Sequence, residues 1–350
     1  MKRPNVTRRS ALLLCVLAFA WVIARADNDE RCEDVPQYGP WSAPVNLGPP
    51  VNTSFAEVNP TISKDGLSLY FSCQDCPGGY GGFDLWVSHR RTVDDPWGAP
   101  ENLGPIINTP MNETNPALSE DGHRLYFTSN RPGGYGATDL YVSRRHNKRD
   151  DLAWQLPENL GSGVNTAADD RTSTAPLEDE KSGTITIYFS SNRAGGPGGD
   201  DLYASTLQSD ETFGPAVLIA ELSTAFTDRS PGIRRDGLEM FFVSNRPGSV
   251  LNAQGKPSAD IWVSTRVSTE DPWTPPVNLG ATVNYIGEDS HPSLSLDGTT
   301  LYFDSAFRPG NIGGSFFDIW MIQRERIRPA KHRDEDDEEC EHNHRHHHGQ

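Results

Sequence analysis

One motif recurs five times along the chain at an almost constant interval. It has the form W-x-x-P-x-N-L-G, and successive copies begin 56, 57, 59 and 60 residues apart. The aligned copies begin at Trp41, Trp97, Trp154, Phe213 and Trp273. Self-similarity at this period is typical of propellers and solenoids, in which a unit buries its apolar surface only against its neighbours. The repeat therefore predicts an architecture of stacked modules.

Each unit consists of sequence patterns that favour short β-strands. Asp-Gly, which suits the positive φ angles of a tight hairpin, precedes an aromatic run such as L-Y-F-T in four of the units. A Gly-rich loop follows, and then a second aromatic and β-branched run that opens with aspartate. A high density of aromatic and β-branched residues between Gly and Pro predicts strands rather than helices. The opening aspartates, which we expect to be structural, are Asp84, Asp139, Asp201, Asp260 and Asp318.

Four strands per unit and five units predict an all-β fold, a five-bladed β-propeller of four-stranded antiparallel blades. The chain starts with the Trp41 strand and ends after the strand at Asp318, so residues 41–48 are expected to complete the last blade. Cys32 and Cys340 flank this junction. A disulfide between them would add about 4–5 kcal/mol on a loop-entropy model; two free thiols are the alternative.

The order P-x-x-S-x-D-G, L-Y-F-x-S-x-R-P-G-G and D-L-Y-V-S resembles the WD40-like (PD40) repeat of exported TolB-type proteins. The resemblance covers residues 41–325. It implies a propeller in the cell envelope, and it bears on the fold more than on function.

Residues 1–26 have the pattern of a secretory signal peptide. A basic start precedes 13 apolar residues and Ala24-Arg25-Ala26, and the apolar run is shorter than the roughly 20 residues of a membrane span. We expect export to the periplasm or outside the cell, through the Sec or the Tat route. Residues 27–40 would be a lead-in, 41–325 the propeller and 326–350 a disordered acidic, His-rich tail.

The formal charge of −17 argues against two classes of partner. Cleavage after residue 26 removes five positive charges and gives −22. A body this acidic repels nucleic acid and anionic lipid, so we expect neither as a partner, and we expect a monomer.

Two sets of polar residues recur at one end of the predicted blades. The first lies at the start of each channel-lining strand, and the second is in the Gly-rich loop. The first set is Glu57, Asn59, Glu113, Asn115, Ser173, Asp228, Asp289 and His291. The second set is Arg131, Arg193, Arg246 and Arg308, with Asn52, Asn108, Asn165 and Asn284 upstream. One hypothesis is a ligand-binding ring around the channel mouth that takes a divalent cation, a sugar or a basic protein loop. The other is that each Arg pairs with an acid and each Asn closes a turn.

Segments that depart from the repeat are the other candidates for functional sites. The first unit has S-C-Q-D-C-P-G-G where other units have an arginine, and Cys73 and Cys76 predict a loop-stapling disulfide, with a redox-active pair as the alternative. The fourth unit has an extended loop, R-P-G-S-V-L-N-A-Q-G-K-P-S-A-D, of the kind that forms a partner-specific surface. In the tail, His342, His344, His346, His347 and His348 suit a transition metal.

These observations favour an exported, non-enzymatic binding or scaffolding propeller that recognises an envelope protein or a glycan. The alternative is a glycoside hydrolase-like enzyme in which carboxylates at the channel mouth, Glu57, Glu113, Asp228 and Asp289, act on the substrate. Metal capture by the tail is a third hypothesis.

Overall fold

The computed structural model describes residues 37–327, apart from residues 173, 180 and 315. The strands in this part of the chain form five antiparallel sheets, the predicted blades, and a separate two-stranded ribbon. The predicted fold is confirmed. The signal peptide, Cys32, Cys340, Ser173 and the five tail histidines lie outside the described residues.

The strands are numbered in chain order. Two of them precede the first blade: β1 (Gln37–Tyr38) and β2 (Val45–Asn46). Blade 1 contains β3 (Ala56–Ile62), β4 (Ser68–Gln74), β5 (Phe83–His89) and β6 (Glu101–Asn102). Blade 2 contains β7 (Glu113–Leu118), β8 (Arg124–Ser129), β9 (Asp139–Arg144) and β10 (Glu158–Asn159). Blade 3 contains β11 (Asp170–Arg171), β12 (Leu177–Glu178), β13 (Ile185–Ser191), β14 (Asp201–Thr206) and β15 (Val217–Leu218). Blade 4 contains β16 (Asp228–Ile233), β17 (Glu239–Ser244), β18 (Asp260–Thr265) and β19 (Val277–Asn278). Blade 5 contains β20 (Asp289–Leu294), β21 (Thr300–Ala306) and β22 (Phe317–Gln323), with a 3₁₀ turn at Ile312–Gly314; the last strand is β23 (Arg326–Ile327).

The ring closes as predicted, because β2 is the outer strand of blade 5. Val45 lies opposite Met321, and Asn46 lies opposite Trp320. Strands β1 and β23 then pair as a ribbon beyond this junction, a contact that the repeat did not predict. The two ends of the propeller are therefore held by backbone hydrogen bonds in two places.

The hydrophobic core lies between neighbouring blades. One buried cluster combines Tyr70 and Leu85 of blade 1 with Leu125 and Phe127 of blade 2, and similar clusters follow around the ring. The last cluster joins Tyr302 and other blade 5 residues to blade 1. Because each sheet buries both faces only in the company of its neighbours, a single blade has no core of its own.

Asparagine side chains attach each connecting segment to the third strand of a blade. The Asn108 amide accepts from the Leu85 N–H at 2.8 Å and donates to the Leu85 carbonyl at 2.9 Å. This pair replaces a β-ladder where the outer strand is only two residues long. Asn52, Asn165 and Asn284 make the same pair of bonds to Ile319, Leu140 and Ile261. The asparagines of the sequence motif are therefore structural.

A second repeated contact fixes the motif tryptophans. The Arg145 guanidinium lies 4.4 Å from the Trp154 ring centroid, and its Nε donates to the carbonyl of Gly122 in the Asp-Gly turn. Three further arginines, Arg90, Arg266 and Arg324, do the same in blades 1, 4 and 5. Each cation joins a hairpin turn to the outer strand. No helix among residues 37–327, as far as they are described, has the length and apolarity to cross a bilayer.

Removing one asparagine amide tests the role of these bonds. In Asn52→Ala the buried Ile319 N–H loses its partner, whereas the Ile319 carbonyl still accepts from the Leu47 N–H, and an unsatisfied buried group costs about 1–3 kcal/mol. We expect the free energy of unfolding in urea to fall by about that amount. Asn147→Ala, in an exposed loop, is the control and should stay within about 0.5 kcal/mol of the wild type.

Candidate functional site

The channel-lining strands all begin on one face of the propeller, called here the upper face, where the Gly-rich loops also lie. At the entry to its first strand, each blade places one carboxylate there that is at most 1% exposed. These carboxylates are Glu57, Glu113, Asp170, Asp228 and Asp289. Each accepts the backbone N–H of the residue four positions earlier, at 2.5–3.0 Å. The carboxylates thus fix the turn that leads into each blade.

In four blades an arginine of the Gly-rich loop neutralises this carboxylate. In blade 4, Arg246 lies 2.5 Å from Asp228, and its guanidinium also faces Phe242 and Trp262. Its Nε donates to the hydroxyl of Ser244 at 2.9 Å. The corresponding pairs are Arg131 with Glu113, Arg193 with Asp170 and Arg308 with Asp289, at 3.2, 2.6 and 2.8 Å. The predicted mouth arginines and acids therefore bind one another inside the blades.

Blade 3 corrects one assignment. The position predicted for Ser173 is occupied by Asp170, which accepts the Thr166 N–H and pairs with Arg193. Alignment on the following proline misplaced it, because three additional residues separate the acid from Pro176. The spacing N-T-x-x-x-acid, seen at Glu57 and Glu113 too, is the signal that identifies Asp170.

The residues two positions after the acids mark a bulge in the strand. Asn59, Asn115, Ser230 and His291 have φ angles of 51–56°. The ladder slips at this point in each of the four blades. A bulge interrupts the two-residue alternation of a strand, so these side chains and the acids do not share one face as predicted. A positive φ at a non-glycine residue is uncommon, and its repetition shows that the bulge belongs to the blade design.

His291 also belongs to a polar contact at the junction of blades 5 and 1. Its Nδ1 lies 2.8 Å from Oδ1 of Asp304, which also accepts the Asn59 N–H at 2.9 Å. Asp304 is fully buried, whereas the His291 side chain is 21% exposed. A buried carboxylate thus orients an imidazole that solvent reaches.

Blade 1 departs from the other four. Cys73 takes the place of the serine, and Cys76 takes the place of the arginine; the two form the predicted disulfide. Glu57 is left without an arginine, and its Oε1 lies 3.6 Å from Cys73 Sγ and 4.0 Å from Cys76 Sγ. Burial raises the pKa of the Glu57 carboxyl from 4.5 to about 7, although bonds from Thr53 oppose the rise.

A pocket of about 550 Å³, called here the upper pocket, opens on the upper face between blades 4 and 5. The extended loop of blade 4 contributes Asn252 to its wall. Arg229 and Glu288 form an ion pair in it, and Arg229 Nε is buried without a hydrogen-bond partner among the described residues. Phe307, at the rim, is 63% exposed.

Phe307 is held in an unfavourable conformation. Its φ is 54°, a value that is strained for a bulky side chain and costs on the order of 1–3 kcal/mol. Phe316 packs edge-on against it at 5.3 Å between centroids and is equally exposed. A strained backbone beneath an exposed aromatic ring is a feature found at binding sites.

A larger cavity of about 810 Å³ lies at the opposite end of the channel, where the Asp-Gly turns are. Its lining includes Leu118 and Leu294, and Glu120 pairs there with both Lys64 and Arg235. The sequence analysis predicted a candidate site only at the upper end, so this cavity was not predicted.

Among the described residues, the ring acids form no ligand set for the expected cation at the channel mouth. In the described part of the chain, the one group of three potential ligand atoms that lie within 4.8 Å of one another is Glu57, Cys73 and Cys76. Two of the three are joined in the disulfide.

No protein-family model and no curated protein matches the sequence. Solved propellers do match the fold. An α-L-arabinofuranosidase from Lactobacillus brevis is 16% identical, with 79% of this chain and 92% of that chain covered at a TM-score of 0.51. The catalytic domain of a GH62 α-L-arabinofuranosidase from Coprinopsis cinerea is 12% identical, with 83% and 96% covered at 0.50. Putative TolB from Agrobacterium tumefaciens is 14% identical, with 83% and 100% covered at 0.45.

These matches confirm the propeller and include TolB-like proteins, while membership of the PD40 family stays a prediction. The prediction of a non-enzymatic binding or scaffolding protein is wrong by this comparison. Both α-L-arabinofuranosidases named above reach a TM-score of at least 0.50, which favours the alternative. Identities of 12–16% bear on the fold, so the assignment of an activity has to come from the site.

The arginine–carboxylate pairs are testable by a double-mutant cycle. Arg246→Met leaves Asp228 buried without its cation, and breaking such a pair costs about 3–5 kcal/mol. We expect Arg246→Met/Asp228→Asn to recover a large part of this loss in urea unfolding. Equal destabilisation by the single and the double substitution would contradict the assigned pairing.

Glu57 should make stability depend on pH. Because its pKa is about 7 when folded and 4.5 when unfolded, the folded chain binds more protons between these values. The free energy of unfolding should therefore fall as pH rises from 4.5 to 7, by an amount on the order of 1–3 kcal/mol. Urea unfolding at pH 5 and pH 8 should show this loss in the wild type and a smaller loss in Glu57→Gln. Asp289, whose pKa burial raises to about 6, contributes equally to both proteins.

Proposed function

We propose that this protein acts on glycans as a glycoside hydrolase-like propeller and holds the sugar in the upper pocket. The observation that carries the proposal is the exposed ring of Phe307 in the pocket wall, held at a strained φ and packed edge-on against the exposed ring of Phe316. Aromatic faces and a few oriented polar groups are the usual components of a small-ligand pocket. A volume of about 550 Å³ is in the range of such pockets.

The polar groups of the upper pocket suit the hydroxyls of a sugar. Thr227, Asn245 and Asn252 line it with hydroxyl and amide groups, which both donate and accept hydrogen bonds. Arg229, whose side chain is 28% exposed and whose Nε has no hydrogen-bond partner among the described residues, offers a further donor. Glu288 accepts from Arg229 and, at 2.8 Å, from the Ser290 hydroxyl.

Hydrolysis of a glycosidic bond needs one group that activates water and one that protonates the leaving oxygen. We assign the first role to Glu288, since an arginine and a hydroxyl hold its carboxylate. We assign the second to His291, with Asp304 as the positioning residue that fixes its imidazole. In the register of β20 and β21, Ser290 lies opposite Asp304, so Glu288 and Asp304 are diagonal neighbours on one face of blade 5. Such neighbours are about 7–8 Å apart. His291 is not among the residues that line the upper pocket, so the proposal requires a bound sugar that extends from Glu288 to the imidazole held by Asp304.

The buried ring acids do not enter this proposal. Glu113, Asp228 and Asp289 are each paired with an arginine inside a blade and are shielded from solvent. Glu57 is equally buried. Glycans with α-L-arabinofuranosyl groups are the first substrates to test, because this is the sugar named for the two hydrolases above. Export through the predicted signal peptide would place the protein where such polymers occur, and we propose that location too.

The test is sugar release by the purified protein. It is incubated with arabinoxylan and arabinan oligosaccharides and with an aryl α-L-arabinofuranoside, and free arabinose is measured by anion-exchange chromatography. We expect Glu288→Gln and His291→Ala each to lower kcat at least about 100-fold, as is typical for general acid–base groups. Phe307→Ala should mainly raise KM, because it removes a binding surface.

Glu270→Gln, which changes an exposed carboxylate outside the upper pocket, is the control and should match the wild type. Thermal unfolding of each variant separates loss of activity from loss of fold. Absence of sugar release by the wild type, or equal rates for the wild type and Glu288→Gln, would overturn the proposal.

A further inference from the structure

We propose that the Cys73–Cys76 disulfide is an exchangeable redox pair, in which an external thiol attacks Cys76 and Glu57 transfers the proton to and from Cys73. This activity is independent of the glycan site, because it concerns blade 1 and none of the residues of the upper pocket.

The repeat provides the first argument. In four blades a serine and an arginine occupy these two positions, and the arginine neutralises the buried acid. Blade 1 keeps the acid, Glu57, but replaces both partners by cysteines. A disulfide that only stapled the loop would leave a buried carboxyl without a cation, and such a group is costly unless it holds a proton. The raised pKa of Glu57 agrees with a carboxyl that exchanges a proton near neutral pH.

The second argument is access. Cys73 is 1% exposed, whereas Cys76 is only partly buried. Thiol–disulfide exchange depends on which sulfur can be attacked, so the incoming thiolate reaches Cys76 and leaves Cys73 as the departing sulfur. Cys73 is also the sulfur closer to the carboxyl, at 3.6 Å against 4.0 Å.

The reaction balances with a dithiol as reductant. Its thiolate attacks Cys76 Sγ, the S–S bond breaks, and the electron pair goes to Cys73 Sγ, which takes the proton of the Glu57 carboxyl. The second thiol of the reductant then attacks the mixed disulfide and releases Cys76, which takes up that thiol's proton. The dithiol is oxidised to a disulfide, the Cys73–Cys76 pair is reduced, and the reverse sequence oxidises a dithiol substrate.

The groups around the Glu57 carboxyl do not neutralise it, so it can carry the proton. Thr53 donates from its N–H and its hydroxyl, and Asp318 of blade 5 acts on the carboxyl by charge repulsion and raises its pKa. Among the described residues no arginine or lysine pairs with it.

The experiment measures reduction of the native full-length protein by dithiothreitol. Samples are alkylated with iodoacetamide at intervals, and peptide mass spectrometry follows Cys73 and Cys76 separately from the other cysteines. We expect both to become alkylated while circular dichroism and thermal unfolding report a folded propeller. Per reductant thiolate, the wild-type rate should fall as pH rises through 7, and at pH 6 Glu57→Gln should be about tenfold slower with a flat profile.

Two matched variants separate proton transfer from structure. Glu57→Asp places at this position the residue that blades 3, 4 and 5 have, so it should fold, but its shorter side chain withdraws the carboxyl from the sulfurs and should slow exchange. Glu113→Gln removes the corresponding acid of blade 2 and should leave exchange unchanged. The proposal is wrong if the disulfide is reduced only when the protein unfolds. It is also wrong if Glu57→Gln and Glu113→Gln slow thiol–disulfide exchange equally, or if Glu57→Asp exchanges at the wild-type rate.

Discussion

The start of every blade depends on one buried carboxylate. It holds the turn that leads into the blade, and because it is shielded from water it needs either a cation or a proton. Four blades supply an arginine, and the same guanidinium lies over two aromatic rings of its own blade and donates to a serine. One contact therefore joins the incoming turn, the Gly-rich loop and the second and third strands.

This requirement explains why the repeat is polar as well as aromatic. Aromatic residues fill the space between blades, and the outer strands are too short to hold the sheets by backbone pairing alone. Asn108 and its equivalents add the missing hydrogen bonds, and Arg145 and its equivalents attach the tryptophans to the turns. Polar residues that recur in each blade are thus used within the fold, which removes most of them from the set of ligand-binding candidates.

The sequence was sufficient for the fold because its signals repeat and are local. Five copies agreed in strand order, the Asp-Gly turns set the hairpins, and the unpaired Trp41 motif at the start required closure with the last blade, as β2 and β22 show.

The candidate site was harder to predict from the sequence. The strand bulge at Asn59 and its equivalents changes which side chains share a face, and alternation alone could not reveal it. Asp170 was missed because the repeat was aligned on Pro176 and not on the Asn165-Thr166 pair. The upper pocket forms where the irregular loop of blade 4 meets the segment around Phe307, and no period connects these residues in the sequence.

At several positions that depart from the repeat, a residue destabilises the fold and makes no contact that compensates for it. Phe307 keeps a strained backbone while its ring remains in solvent, and Arg229 keeps a buried Nε without a partner among the described residues. Glu57 is a buried acid in the one blade that has a cysteine in place of the arginine. Since each of these costs on the order of 1–3 kcal/mol in a fold that is only marginally stable, a purely structural blade would favour their replacement. The regular blades have less destabilising residues at equivalent positions. In blade 2, for example, Arg131 and Ser129 stand where blade 1 has the cysteine pair. The irregular positions of blades 1, 4 and 5 are therefore the part of the surface on which function has to be sought.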